Sequence, residues 1–138
     1  MSLLCIGESA PDFTAKGILG GQLADYSPAD YKNKWLVLFF YPADFTFICP
    51  TEVTGFSKMT KAFAAEGAAV LGVSVDSIDS HRSWAEELGG LNCPLLSDEA
   101  KTVSRAYGAL DEKEGVAMRA TFIINPAGVI CYQVVSHV

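Results

Sequence analysis

The apolar positions of this chain fall into short runs with two different periods. Trp35-Leu36-Val37-Leu38-Phe39-Phe40-Tyr41 is a continuous apolar run that ends at Pro42, the pattern of a strand covered on both sides. Ala69 to Val75 and Ala120 to Ile124 repeat that pattern. From about Cys49 to Glu66, Val53, Phe56, Met59 and Phe63 recur at steps of three and four, which predicts a helix stopped by Gly67. Asp79 to Leu88 reads as a second helix, with Asp79 or Ser80 as its cap and Gly89-Gly90 at its end. Ser97-Asp98-Glu99 precedes a short helix to about Tyr107. Nearer the start, Pro11 to Thr14 reads as extended. Ala15–Leu19 and Gln22–Tyr26 flank a Gly20-Gly21 turn and so predict a hairpin, and Ser27-Pro28 opens a loop or a short helical turn. Asn125-Pro126-Ala127-Gly128 is a turn that sends the chain back along Val129 to Val135.

Strands that alternate with helices imply an α/β fold: a mainly parallel central sheet, helices on both faces and an antiparallel edge hairpin at the end. The order is compatible with a thioredoxin-like fold, although pattern alone does not select it over other α/β folds. The 138 residues fit one domain, residues 1–138, with no repeat or linker. The sequence stops directly after its last strand, where a sheet of this type usually carries a further helix, so the domain is expected to be short at its C-terminus. The edge strand Val129 to Val135 is a template for pairing with a second chain. Trp35 and Trp84 are expected in the core, His81 on a solvated helix turn, His137 in a frayed terminus, and Asp111-Glu112-Lys113-Glu114 in an exposed loop.

Composition narrows the function classes. Half the residues are hydrophobic, enough for a core without metal or disulfide staples. The formal net charge of -6, with Lys and Arg scattered, argues against nucleic acid and anionic membrane surfaces as partners. The longest apolar run is too short to span a bilayer, and no signal-peptide pattern opens the chain, so a cytoplasmic location is expected. The four cysteines Cys5, Cys49, Cys93 and Cys131 include no C-x-x-C, and neither His81 nor His137 stands at metal-ligand spacing to them. No metal and no organic cofactor is expected. Free thiols are the default in a reducing compartment, and Cys5, Cys93 and Cys131 are expected to behave as small structural hydrophobes.

Cys49 is different because of where it falls. It sits where the buried run Trp35–Tyr41 hands over to a helix, and the carboxyl ends of strands are where open α/β sheets bind ligands. Orphan N–H groups and the dipole at a helix start favour a thiolate there. Pro50 limits the helix start to this neighbourhood, with Cys49 either the cap or a first-turn residue. Lowering a thiol from about 8.5 to roughly 6 requires about 3.4 kcal/mol. A helix terminus supplies ~0.3–2 kcal/mol of that, so a cation is needed as well. Arg119, just before the strand Ala120–Ile124, is the best candidate, and its guanidinium can donate to a substrate oxygen. Thr46 can cap the helix or direct its hydroxyl at the sulfur or a bound substrate. Pro42, stiff and without an N–H, can wall the site from water.

The run Phe40-Tyr41-Pro42-Ala43-Asp44-Phe45-Thr46-Phe47-Ile48-Cys49-Pro50-Thr51-Glu52 resembles the active-site signature of the peroxiredoxins, in the branch that holds alkyl hydroperoxide reductase and the typical two-cysteine enzymes. The core P-x-x-x-T-x-x-C is highly specific in a strand-to-helix setting. Ala10-Pro11-Asp12-Phe13, Val73-Ser74-Val75-Asp76-Ser77 with Trp84, Pro94-Leu95-Leu96-Ser97-Asp98, and Arg119 through Gly128 are similar as well, so the resemblance runs from Ala10 to about Val135. It implies a thioredoxin-like fold and makes Cys49 the peroxidatic cysteine, with Thr46, Pro42 and Arg119 at the other active-site positions and Glu52 in a supporting hydrogen-bond network around the arginine.

The implied activity is thiol-dependent reduction of hydrogen peroxide and alkyl hydroperoxides through a cysteine sulfenic acid, in antioxidant defence and redox homeostasis. The implied partners are a peroxide, a thiol reductant (thioredoxin-like or a dedicated reductase) and a second copy, as a homodimer or higher oligomer. The chain departs from the branch in lacking its C-terminal Val-Cys-Pro tail and a second arginine beyond the last strand. Three regeneration routes are therefore open: a shortened chain, resolution by Cys5, Cys93 or Cys131, or direct reduction by an external thiol. The competing function is a non-catalytic or chaperone-like protein of the same fold.

Overall fold

The computed structural model describes residues 6–43, 62, 65–87 and 93–136. The Gly20-Gly21 pair does what its position predicts. Both glycines adopt positive φ, 57° and 78°, and so reverse the chain between β1 (Ala15–Leu19) and β2 (Gln22–Tyr26). A 3-10 turn at Pro28–Tyr31 follows, started by a reciprocal box in which Ser27 Oγ accepts from Ala29 N and Asp30 accepts from Ser27 N. The continuous apolar run forms β3 (Trp35–Phe40), and the next forms β4 (Ala68–Ser74). They pair in parallel from Trp35↔Ala68 to Phe40↔Val73.

The helix α1 (Ile78–Glu87) begins one residue before its expected range. Its cap is Ser77 rather than Asp79 or Ser80: Ser77 Oγ accepts from Ser80 N at 3.1 Å. β5 (Leu95–Ser97) and the short helix α2 (Thr102–Ala106) follow. Asp111 to Glu114 closes a two-residue ribbon, β6 (Leu110–Asp111) with β7 (Val116–Ala117), that the sequence pattern did not predict; Glu112 to Glu114 are exposed as expected. β8 (Arg119–Ile124) and β9 (Ile130–Ser136) form the closing hairpin across the Asn125–Gly128 turn, where Asn125 Oδ1 accepts from Ala127 N and Val129 N.

The main sheet has seven strands in the order β2-β1-β5-β4-β3-β8-β9. Only β5, β4 and β3 run parallel to one another, and the pairs on both flanks are antiparallel. The sheet is therefore mixed, with a parallel centre, rather than mainly parallel. β2 and β9 are added through tight hairpins, which pair antiparallel, and β1 and β8 each run against the parallel strand they adjoin, β5 and β3.

Alternation along β3 assigns its two faces. Leu36, Leu38 and Phe40 point into a core with Leu71, Val73, Phe122, Val103 and Tyr107, which places α2 on that side. Val37, Phe39 and Tyr41 point into a second core with Val70, Leu95, Cys93 and Trp84, which places α1 on the other. Helices therefore cover both faces, as expected. Gly72 lets β4 sit close under Phe39, because a Cβ there would lie 2.6 Å from Phe39 Cζ and 3.1 Å from Leu95 Cδ2.

Two expectations about single residues are overturned. Trp35 is 41% exposed rather than core, because it opens β3 while α1 packs over β1 and β5. His81 is fully buried rather than solvated. It shares one face of α1 with Ile78 and Trp84 at steps of three, so the helix drives all three against the sheet.

Candidate functional site

The carboxyl ends of β3, β4 and β5 lie side by side because these three strands are parallel. Pro42 leaves β3 at this end. Tyr41 continues the strand by one residue, its N–H donating to Val73 O at 3.1 Å. On the other side of β3, β8 runs antiparallel with Phe40 opposite Ala120. Arg119 precedes Ala120 on β8 and so stands at this end of the sheet. Directly opposed residues of an antiparallel pair share a face, and alternation along β8 puts Arg119 on the face of Thr121 and Ile123, which oppose Phe39 and Val37. The fold thus brings Pro42 and Arg119, separated by more than half of the chain, to one end of one sheet. Both are half-buried. Cys49, Thr46 and Glu52 lie outside the described residues, as does Cys5.

Buried polar groups collect at this end. Tyr41 and His81 are each fully buried. Leu96 O lies 2.8 Å from His81 Nε2, and the Tyr41 hydroxyl lies 3.5 Å from His81 Nδ1. The Tyr41 ring packs on Trp84 at 5.6 Å between centroids and on Phe39 at 5.9 Å. Beyond β4, Ser74 Oγ donates to Asp76 at 2.7 Å, and Ser97 Oγ donates to Asp76 O at 2.6 Å. Asp98 is buried and accepts from Val103 N, Ser104 N and the Ser104 hydroxyl.

The remaining described cysteines differ sharply. Cys93 is buried in the core beside Trp84, and burial pushes its thiol up to about 12. It behaves as the small hydrophobe expected. Cys131 was expected to behave as a small structural hydrophobe; it is exposed on β9, and its Sγ donates to Ile123 O at 3.4 Å. Edge strands of a sheet have one side open, and Cys131 lies on such a strand. The buried His81 and its Tyr41 partner were missed from sequence. The signal was the three-step spacing Ile78-His81-Trp84 in a helix otherwise rich in polar residues. Among the described residues no group of His, Cys, Asp and Glu is placed to hold a metal ion, and no helix is long and apolar enough to cross a membrane.

A mixed sheet with a parallel centre and helices on both faces, matched over nearly its whole length by solved structures, defines a thioredoxin-like α/β protein. The fold matches Mycobacterium bovis AhpC with a TM-score of 0.90 at 35% identity, over 99% of this chain and 84% of that one. It matches a Plasmodium vivax 2-Cys peroxiredoxin with a TM-score of 0.89 at 32% identity, over 96% and 72%. Mouse Peroxiredoxin-2 is 48% identical over 131 residues, which is 91% of this chain and 66% of that protein. A putative peroxiredoxin in a rubredoxin operon of Clostridium pasteurianum is 45% identical, over 94% of this chain and 78% of that one. The chain thus spans somewhat less than two thirds of the mouse relative's length. Residues 6–133 match the AhpC/TSA family, and the chain belongs to that family.

Proposed function

We propose that the chain is a thiol-dependent peroxidase in which Cys49 attacks the peroxide. The observation that carries this reading is the convergence of Pro42 and Arg119 at the carboxyl end of β3, directly before the Pro-x-x-x-Thr-x-x-Cys run, in a chain of the AhpC/TSA family. In the proposed reaction the Cys49 thiolate attacks the terminal peroxide oxygen. An S–O bond forms as the O–O bond breaks, and the departing oxygen takes a proton to leave as water or an alcohol. Cys49 is left as a sulfenic acid. A first thiol converts it to a disulfide with loss of water, and exchange with a second thiol restores it. Arg119 supplies the cation that a helix terminus alone cannot, stabilising the thiolate and polarising the peroxide. Thr46 donates to or orients the peroxide, Pro42 shields the sulfur from water, and Glu52 holds the arginine in place.

Hydrogen peroxide and alkyl hydroperoxides are the proposed substrates, a thioredoxin-like protein or dedicated reductase the thiol donor, and the cytoplasm the compartment. A homodimer or higher oligomer through β9 is part of the reading, since that strand is last in the sheet, is met by residues 7 to 9 only at its start, around Val129 and Ile130, and has Tyr132 and Val134 exposed beyond that. Between the two described cysteines, the exposed Cys131 is the better resolving candidate, because a thiol as buried as Cys93 offers almost no thiolate.

Substitution of Cys49 tests the whole reading. Cys49→Ser is expected to abolish hydrogen peroxide consumption while leaving the circular dichroism spectrum and thermal midpoint close to those of the parent. Retained consumption would remove Cys49 as the nucleophile. Client binding that survives the substitution, in a parent that does not consume peroxide, would favour the non-catalytic, chaperone-like alternative.

A further inference from the structure

A fully buried histidine in an otherwise apolar core is costly unless both ring nitrogens are satisfied. His81 meets that condition by joining three separate elements. A carbonyl oxygen only accepts, so the 2.8 Å contact to Leu96 O requires the proton on Nε2. In the neutral ring Nδ1 is then the acceptor, and the Tyr41 hydroxyl, 3.5 Å away, is the donor that faces it. A directed chain runs from Tyr41 O–H through the imidazole to Leu96 O, linking the end of β3, the helix α1 and the strand β5.

That chain ends at the candidate site. Tyr41 is bonded to Pro42 and follows Phe40, which pairs with Ala120, the residue after Arg119. Its backbone is held by Val73 O, its ring by Trp84 and Phe39, and its hydroxyl by His81. Any displacement of the Tyr41 hydroxyl tilts a ring wedged between these neighbours and moves the peptide that carries Pro42. Stability alone does not account for the pair, since apolar groups of the same shape in place of two hydrogen-bonded partners are often nearly neutral. We propose that Tyr41 and His81 are positioning residues for peroxide reduction, holding Pro42 and Arg119 at the separation the bound peroxide requires. This rests on the reading of Cys49 and Arg119 as the peroxide site.

The test uses the full chain with Tyr41→Phe, which keeps the ring packing and deletes only the hydroxyl. Two rates at Cys49 are compared: oxidation by hydrogen peroxide, which needs an oriented substrate, and alkylation by iodoacetamide, which does not. Peroxide oxidation is expected to fall about tenfold, because a small misplacement of orienting groups is expensive in rate. Alkylation is expected to stay within about twofold of the parent. The double variant Tyr41→Phe with His81→Leu should lose little more than the single one, the mark of two residues acting as one unit. An unchanged peroxide rate in Tyr41→Phe overturns the proposal, and so does an equal loss in both rates, which would mark a merely structural pair. Should His81→Leu fail to fold, the two rates of Tyr41→Phe decide alone. Failure of the peroxide-site reading is seen separately, in a parent chain whose Cys49 does not react with hydrogen peroxide at all.

Discussion

Two polar groups are buried at the same end of the sheet, and they are satisfied in opposite ways. Asp98 follows β5 and accepts three hydrogen bonds, from Val103 N at 3.1 Å, Ser104 N at 2.7 Å and Ser104 Oγ at 2.7 Å. All three donors belong to the first turn of α2, so the carboxylate is a cap placed at a distance and serves only to start that helix. His81 reaches one partner on β5 and another at the end of β3, away from its own helix. A buried polar group satisfied by one local turn is a folding device. One that spans three elements and ends beside Pro42 constrains the geometry of a site. The two clusters should therefore fail differently when cut.

The largest loss of stability belongs to Asp98. Asp98→Ala leaves two backbone N–H groups and a hydroxyl buried without their acceptor, and should lower the unfolding free energy by about 3 kcal/mol. Asp98→Asn keeps one acceptor oxygen and should lose less. Urea denaturation measures both. The peroxide rate per folded molecule should stay unchanged, and a tenfold loss there would erase the distinction from Tyr41. For Tyr41→Phe the pattern reverses: one long hydrogen bond is removed at a cost of about 1 kcal/mol or less, while the rate falls.

This contrast also explains what could be read from the sequence. The β1–β2 hairpin was legible to the residue, because Gly20-Gly21 leaves the register no freedom. β3, β4, β8 and β9 were legible within one residue, since runs of five to seven mostly apolar positions bounded by turn residues read as strands. β5 was not, because three residues, Leu95–Ser97, carry too little pattern to declare a strand that exists only by pairing with β1 and β4. Its absence from the reading made the sheet look mainly parallel, since the antiparallel β1–β5 contact could not be foreseen. Of the site, Pro42 and Arg119 were named from sequence, and the β3–β8 register, which ends at Phe40 opposite Ala120, puts both at one end of the sheet. His81 was misplaced because a polar residue in a polar helix reads as solvated, and only the tertiary contact of α1 with the sheet decides which face is buried.

A smaller effect should appear at high pH. Burial pushes Cys93 from 9.0 up to about 12, and Tyr31 from 10.0 up to about 12. Each group stays protonated in the fold while the unfolded chain ionises. The stability they contribute is full below pH 9 and is lost as the pH rises toward 12. Cys93→Ala should flatten the Cys93 share of that decline, read as urea midpoints between these limits. A decline as steep as the parent's would mean that Tyr31 and its neighbours carry all of it. In the native state Cys131 should react with a thiol reagent well before Cys93, which should react only after unfolding.

The smallest effect belongs to the exposed pair Arg105 and Glu112, and it fixes the zero of the comparison. Their contact is well formed, with Nε to Oε2 at 3.1 Å and Nη2 to Oε1 at 3.2 Å, and it ties α2 to the β6–β7 ribbon. Each partner shifts the other in the expected sense, Glu112 raising Arg105 and Arg105 lowering Glu112. Yet both side chains are more than half exposed, at 53% and 54%. Water and salt screen the attraction, and two long side chains must be ordered to make it. Because Glu112 is lowered, any stability from the pair is present at neutral pH and lost as acid protonates the carboxylate. Arg105→Gln should leave the denaturation midpoint at neutral pH and ordinary salt indistinguishable from the parent's. A clear drop would mean that docking of the ribbon depends on this bridge, and that exposure is a poorer guide to energetic weight here than the contrast between Asp98 and His81 requires.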